Sequence, residues 1–175
     1  MSGPMRDEHL DPTANHGFSK EDLALIDAFE AAGKSVRAAV AGVPASQLDV
    51  PCAPGKWSIR QVVVHLLDSD LAAIHRMRRI AAEHLPLLIA YNEDLFIERL
   101  HYPSADMEET LHLLEAGRAF TARWLRTMEA AVLDRAGVHN ERGKVTLREI
   151  LQMYVRHVEH HLKYVEGKRK TLAGQ

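Results

Sequence analysis

Histidine is the residue type in this sequence whose spacing best suits metal chemistry. The chain of 175 residues contains 11 histidines, so a pair spaced four apart also arises by chance. His157 and His161 form such a pair within a segment of helical periodicity, where residues i and i+4 lie on one side of a helix. Neutral imidazole nitrogens bind divalent transition metals. The pair is therefore a candidate for two ligands of one ion.

The apolar pattern of this segment turns the pair toward the protein core. At 100° per residue, one face collects the apolar residues Ile150, Leu151, Tyr154, Val155, Val158, Leu162 and Val165. His161 falls within that face and His157 at its edge, whereas His160 points almost the opposite way, toward water. Two protonated imidazoles are costly to bury, and a metal ion binds them in the neutral form. The alternative is that each histidine donates to a backbone carbonyl or lies on a wet rim.

His65 is the candidate for a third ligand. It lies in an otherwise apolar helical run, and small residues such as Ser58, Ser69 and Ala72 on its flank leave room beside it. A lone core histidine is a common alternative, but it does not explain the coincidence with a core-facing pair elsewhere. Three histidine ligands leave coordination positions open, as in catalytic rather than structural sites. His139 lies in the loop before the last helical segment. It could line the mouth of the site, but we expect it to be a turn residue.

Four amphipathic segments with the period of helices position these histidines. They run from Ser19 to Gly42, from Ser58 to about Ala82, from Ser104 to about Met128 and from Thr146 to about Lys170. Ser58 with Gln61 and Thr146 with Glu149 form capping boxes, which mark two of the starts. No segment alternates with period two for long enough to predict a strand. The pattern predicts an all-α four-helix bundle.

The connection between the second and third helices is long enough to change the topology. It runs from Glu83 to Ser104 and can cross the bundle from end to end, so these two helices need not be antiparallel neighbours. Long connections in compact domains are often functional. We expect residues 1–18 to form a flexible arm and residues 19–170 to form a single domain.

Composition excludes several classes of protein. A net charge of −2 and a pI near 6.6 argue against nucleic acid as a partner. Cys52 is the only cysteine, so an intrachain disulfide is excluded, and a small loop residue is a simpler interpretation than a thiol nucleophile. No signal peptide and no membrane span are predicted. We therefore expect a cytoplasmic protein.

Four motifs together resemble the DinB-like superfamily, specifically its YfiT-type branch. They are PGKWSIRQVVVH at 54–65, YNE at 91–93, GVHNERG followed by VTL at 137–147, and HVEHH at 157–161. The resemblance covers about residues 20 to 168. It implies a bundle with a long crossover, a metal site built from His65, His157 and His161, and a homodimer. The resemblance also implies one divalent metal ion, with nickel or zinc as the first candidates and iron or manganese as alternatives.

The sequence departs from the family pattern in the crossover. Asn92 replaces the usual aspartate, and Phe96 stands where tryptophan is common. A histidine often found shortly after the HVEHH cluster is absent, since Tyr164 and Val165 occupy those positions. These changes leave the three histidines of the implied metal site intact but leave the identity of the substrate open.

The family activities give three functional hypotheses. The first is transfer of a low-molecular-weight thiol, such as bacillithiol, to an electrophile through a metal-activated thiolate. The second is metal-dependent hydrolysis of a small molecule, in which the ion activates water. The third is a non-catalytic metal-binding stress protein. For either reaction, Glu93 or Tyr91 could transfer a proton or orient the substrate, with plain surface residues of the crossover as the alternative.

Overall fold

The computed structural model describes residues 16–51 and 53–173 of the chain. Cys52 and residues 1–15 of the predicted arm lie outside the described residues. The elements in chain order are α1 (Lys20–Val40), α2 (Ile59–Ala82), β1 (Leu87–Leu88), α3 (Glu93–Arg99), α4 (Met107–Arg126), β2 (Ala136–His139), β3 (Gly143–Thr146) and α5 (Leu147–Ala173). Short 3₁₀ helices lie at Ala45–Gln47, Tyr102–Ser104 and Ala130–Asp134. The four long helices are those that the sequence predicts.

The four long helices form the predicted bundle. The main packing contacts join α1 with α4 and α5, and α2 with α4 and α5. The helices that follow one another most directly, α1 then α2 and α4 then α5, therefore lie on the diagonals of the bundle. Helices α2 and α4, which the long crossover connects, are neighbours. This arrangement places α2 beside α5, the two helices that carry the histidine candidates.

Capping residues fix where the long helices begin. Ser58 accepts from the Gln61 backbone N–H, and the Gln61 side chain accepts from the Ser58 N–H at 2.7 Å. The Thr146 hydroxyl and the Glu149 carboxylate make the equivalent exchange at the start of α5. These reciprocal bonds satisfy backbone N–H groups that a helix start leaves without partners. Both predicted capping boxes are confirmed.

A buried ion pair links the centres of all four helices. Arg118 of α4 donates to both carboxylate oxygens of Asp70 of α2 at 2.5 and 2.7 Å. Its guanidinium also donates to the carbonyls of Phe29 in α1 and Tyr154 in α5, at 3.1 and 3.3 Å. Since Arg118 is 0% and Asp70 only 2% exposed, the hydrogen bonds offset much of the cost of burying both charges.

The crossover contains strands that the sequence pattern does not predict. Its strand β1 pairs in parallel with β2, and β2 pairs antiparallel with β3, giving the order β1-β2-β3. The expectation of no strand is therefore wrong, because these strands of two to four residues are too short to show an alternating pattern. Arg79 and Arg76 of α2 donate to the carbonyls of Leu87 and Ile89, both at 2.6 Å. A side chain at Gly137 would lie 2.9 Å from the Pro86 carbonyl oxygen, so the sheet requires glycine there.

Two aromatic residues lie differently from their predicted positions. Phe18, at the end of the predicted arm, is only 5% exposed and packs in the core. Phe120, which the helical pattern assigns to the apolar stripe of α4, is 50% exposed, and the guanidinium of Arg78 lies 5.7 Å from its ring centroid.

In the described part of the chain, no helix combines the length and apolar character that crossing a membrane requires.

Candidate metal centre

The three predicted histidine ligands meet between α2 and α5. The Nε2 atom of His157 lies 3.2 Å from Nε2 of His65 and 3.1 Å from Nε2 of His161. The third pair of rings, His65 and His161, has centroids 5.0 Å apart. Among the described residues, these three form the one cluster of histidine, cysteine or acidic groups with metal-ligand geometry. His160 is exposed, as predicted.

These spacings suit a divalent ion. Zinc binds histidine nitrogen at about 2.0–2.1 Å, so nitrogens around one tetrahedral ion lie about 3.3 Å apart. The observed separations of 3.1 and 3.2 Å are close to that value. Three neutral imidazoles facing each other through the same nitrogen can satisfy few mutual hydrogen bonds, because each Nε2 either donates or accepts. A cation at their centre satisfies all three lone pairs.

Burial keeps these histidines in the neutral form that metal binding requires. Loss of solvent, followed by the neighbouring His161, lowers the pKa of His65 to about 4. Burial, followed by the two other histidines, lowers the pKa of His157 to about 3. Burial and then His160 lower the pKa of His161 to about 4. All three rings are therefore uncharged at neutral pH.

In the described part of the chain, the outer nitrogens of His65 and His157 are not held by backbone carbonyls, as the alternative interpretation expects them to be. Nδ1 of His65 is buried and has no hydrogen-bond partner in the described part of the chain. Nδ1 of His157 faces the hydroxyl oxygen of Ser69 at 3.4 Å. The polar contacts of the His65 ring therefore all lie on the Nε2 side, where the other two rings are.

Trp57 covers one side of the cluster. Its ring centroid lies 4.9 Å from that of His65, and it stacks on His161 at 6.1 Å with 6° between the ring planes. Tyr164 and Lys168 of α5 both donate to the carbonyl oxygen of Trp57, the tyrosine at 3.5 Å. Trp57, which precedes the Ser58 cap of α2, is thus hydrogen-bonded to α5, the helix that carries His157 and His161.

The crossover brings the predicted Glu93 and Tyr91 to the other side. Oε2 of Glu93 lies 3.8 Å from Nε2 of His65, and the glutamate side chain is 54% exposed. Burial raises the pKa of Tyr91 to about 12, so its phenol stays protonated. Asn92 caps α3, because its side-chain oxygen accepts from the Leu95 N–H at 3.0 Å. The substitution of asparagine in the family motif thus retains a helix-capping residue.

A cavity of about 180 Å³ opens beside His157. It lies between α2, the crossover, the β2–β3 hairpin and α5, and its polar lining includes Ser69, Arg76, Tyr91, Glu93, His139 and Arg142. His139, expected in a turn, instead lies in β2 and is only 6% exposed. Arg76 was not predicted as a site residue, because an arginine in an amphipathic helix normally reaches solvent.

Arg76 connects this cavity to the framework of the site. Its guanidinium donates to the hydroxyl of Tyr154 at 2.8 Å and to the carbonyl of Ile89 at 2.6 Å. It is only 8% exposed. The arginine therefore anchors the crossover just before Tyr91 and Glu93, and it places a buried positive charge against the cavity.

Comparisons with known proteins find relatives that match most of this chain. A family model described as the DinB superfamily matches residues 28–165. The "Putative metal-dependent hydrolase YfiT" of Bacillus subtilis is 30% identical over 141 residues, covering 80% of this chain and 79% of the relative. The "Putative metal-dependent hydrolase OB0782" of Oceanobacillus iheyensis is 31% identical over 126 residues, covering 71% and 73%.

The fold also resembles a solved structure. A structure of YfiT from Bacillus subtilis, described as "a probable metal-dependent hydrolase with an unusual four-helix bundle topology", superposes with a TM-score of 0.82. The sequences are 28% identical, and the match covers 92% of this chain and 93% of that chain.

Proposed function

Because this chain belongs to the DinB superfamily, we propose that it is a metal-dependent enzyme whose divalent ion is held by His65, His157 and His161. The observation that carries the proposal is the convergence of three neutral Nε2 atoms next to an open cavity. Imidazole donors suit zinc and nickel, which we take as the first candidates, ahead of iron and manganese. Three protein ligands leave positions for a substrate.

The bound ion would supply Lewis acidity, which lowers the pKa of a coordinated water or thiol toward neutrality. Glu93 is the residue that we assign to take the released proton, because its carboxylate lies 3.8 Å from Nε2 of His65 and remains half exposed. Tyr91 has the opposite role. Its raised pKa keeps the phenol protonated, so it donates a hydrogen bond to the substrate rather than accepting a proton.

Transfer of a small thiol to an electrophile is the first reaction that we assign to the site. The sulfur forms a bond to an electrophilic carbon, the leaving group departs with its electron pair, and Glu93 takes the thiol proton. Hydrolysis is the second candidate, supported by the names of the relatives from Bacillus subtilis and Oceanobacillus iheyensis. In that reaction Glu93 takes a proton from the attacking water.

The first experiment is metal analysis of protein purified without a histidine tag. The protein is then stripped, reloaded with zinc or nickel, and assayed with a panel of low-molecular-weight thiols and monochlorobimane. A panel of esters and amides is run in parallel. We expect turnover in one panel that requires the metal, is lost in His161→Ala and persists in the exposed control His160→Ala.

The outcomes separate the three hypotheses. Metal-dependent conjugation assigns the transferase, and metal-dependent cleavage of an ester or amide assigns the hydrolase. If tightly bound metal raises the melting temperature but neither panel reacts, the enzyme proposal fails and the non-catalytic metal-binding protein remains.

A further inference from the structure

We propose that the wall of the cavity formed by Arg76, His139 and Arg142 binds a carboxylate group of the substrate. Small molecules carrying a carboxylate are then the class on which the site acts. The evidence for a carboxylate subsite is the set of contacts that these three residues make. That the bound anion is also the substrate rests on the function proposed above.

Arg76 supplies the main reason, because its charge is buried without a counter-ion. The guanidinium is 8% exposed, and its hydrogen bonds go to a neutral hydroxyl of Tyr154 and a neutral carbonyl of Ile89. No carboxylate pairs with it in the part of the chain that the structure describes. A buried charge is costly unless it is paired, and arginine has five N–H donors, of which these bonds use two. An anion in the cavity would supply the missing charge.

His139 adds a neutral donor on the same wall. Its Nδ1 accepts from the Glu141 backbone N–H at 3.3 Å, which leaves the ring hydrogen on Nε2. Burial, followed by the charge of Arg76, lowers the pKa of His139, so the ring stays in this neutral form. An N–H group of this kind can complete the binding of a carboxylate that an arginine holds.

Arg142 places a second guanidinium at the cavity, on the turn between β2 and β3. Its backbone N–H donates to the carbonyl of His139 at 3.2 Å, which fixes the turn. The side chain is exposed and has no ion pair among the described residues. Arginine binds carboxylates with a planar fork of N–H groups, so Arg142 can contact an anion that enters from solvent.

The acidic groups of the cavity do not neutralise this wall. Glu93 lies at the His65 end, and Glu141 is exposed on the turn. Neither forms an ion pair with Arg76 or Arg142 in the described structure. The cavity of about 180 Å³ corresponds to about six waters in the liquid. A compact molecule can therefore place its carboxylate at the arginines and its reacting group beside His157.

The test is a binding titration of the zinc-loaded protein with glutarate, at constant ionic strength. Glutaramide is the matched neutral probe. Dissociation constants and the Nε–Hε NMR signals of the arginines are measured for wild type, Arg142→Gln and Arg142→Lys. The control is Arg123→Gln, which removes the same charge from an exposed position on α4. We expect Arg142→Gln to weaken glutarate binding about tenfold, Arg142→Lys to weaken it less, and Arg123→Gln to leave it unchanged.

In wild type we also expect glutarate, but not glutaramide, to shift the Arg76 signal. Equal affinity of glutarate for Arg142→Gln and Arg123→Gln would overturn the proposal, as would equal binding of the two probes. A zinc-free sample separates the arginine wall from the ion. Binding that disappears without zinc, and that Arg142→Gln leaves unchanged, would assign the carboxylate to the ion and overturn the proposal. Because the titration measures binding and not turnover, its result can be interpreted even if the enzyme assays detect no reaction.

Discussion

The hydroxyl oxygen of Ser69 lies 3.4 Å from Nδ1 of His157, on the side of the ring opposite to the nitrogen that faces the other two histidines. A ligand histidine commonly donates its outer N–H to a partner that fixes the orientation of the ring. Ser69 lies one turn after His65 on α2, so in the proposed metal site the same helix would supply one ligand and orient another.

Replacing Ser69 tests this orientation. Because such a partner fixes the ring and raises its basicity, we expect Ser69→Ala to weaken zinc affinity about 10- to 100-fold. The affinity is measured by competition with a chelator. Ser35→Ala is the matched control, since its exposed hydroxyl donates to the carbonyl of Ala31 in its own helix. Equal zinc affinities of the two variants would show that Ser69 does not orient the ligand.

Alanine substitution of each histidine tests the ligand set. We expect His65→Ala, His157→Ala and His161→Ala each to weaken metal affinity more than about 100-fold, beyond the range seen for residues that only orient ligands. His160→Ala should retain full stoichiometry, because that ring is exposed. Metal content by mass spectrometry and the rise in melting temperature on metal addition give two readouts. A full metal complement in any of the first three variants would contradict the assignment.

Glu93 is tested by removing its basicity alone. We expect Glu93→Gln to lower turnover about 10²- to 10⁴-fold, the range for general acid–base groups, while the bound metal is retained. Asp94→Asn, the next residue of α3, removes the same charge and should keep near wild-type turnover. If both variants turn over equally, Glu93 is a surface residue of the crossover, and if Glu93→Gln releases the ion, it is a ligand.

The three histidines predict how stability of the metal-free protein depends on pH. The pKa values of His65, His157 and His161 are about 4, 3 and 4 in the folded protein, below the ordinary 6.5. Between about pH 4 and pH 6.5 the unfolded chain therefore binds more protons than the folded protein, and the free energy of unfolding rises with pH. Their full contribution is present above about pH 6.5 and is lost as the pH falls toward 4.

Urea unfolding in the presence of a chelator, from pH 4.5 to 7.5, checks this dependence. We expect the midpoint to fall toward acid in wild type and to fall less in His157→Gln, which has one depressed group fewer. His160→Gln should follow the wild type. Identical slopes for His157→Gln and wild type would mean that His157 is not held neutral by the fold.

The helices and the meeting of the three histidines were predictable because both depend on local periodicity, whereas their role as metal ligands remains a prediction. The apolar stripe of α5 fixes its rotation, and this rotation directs His157 and His161 inward and His160 outward. His65 followed in the same way from the apolar run of α2. The homodimer and the native metal remain predictions.

The residues that surround the ligands were harder to find, because their burial depends on distant partners. Arg76 and Arg118 look like solvent-facing residues until Tyr154 and Asp70 are placed beside them. The two-residue strand β1 has too few residues to alternate, and it forms only because β2 lies alongside. His139 is buried because it belongs to β2, which pairs with β1 in this sheet. Such features require the tertiary structure, and they include the wall assigned to carboxylate binding.

The position of Arg118 has a consequence for how the protein unfolds. One guanidinium from α4 finds its partners on α1, α2 and α5 at the same time. If any one of these helices separates, a fully buried charge loses part of its compensation, so intermediates that keep only three helices are penalised. The bundle should consequently lose all four helices in one concerted transition, with circular dichroism and tryptophan fluorescence reporting the same midpoint.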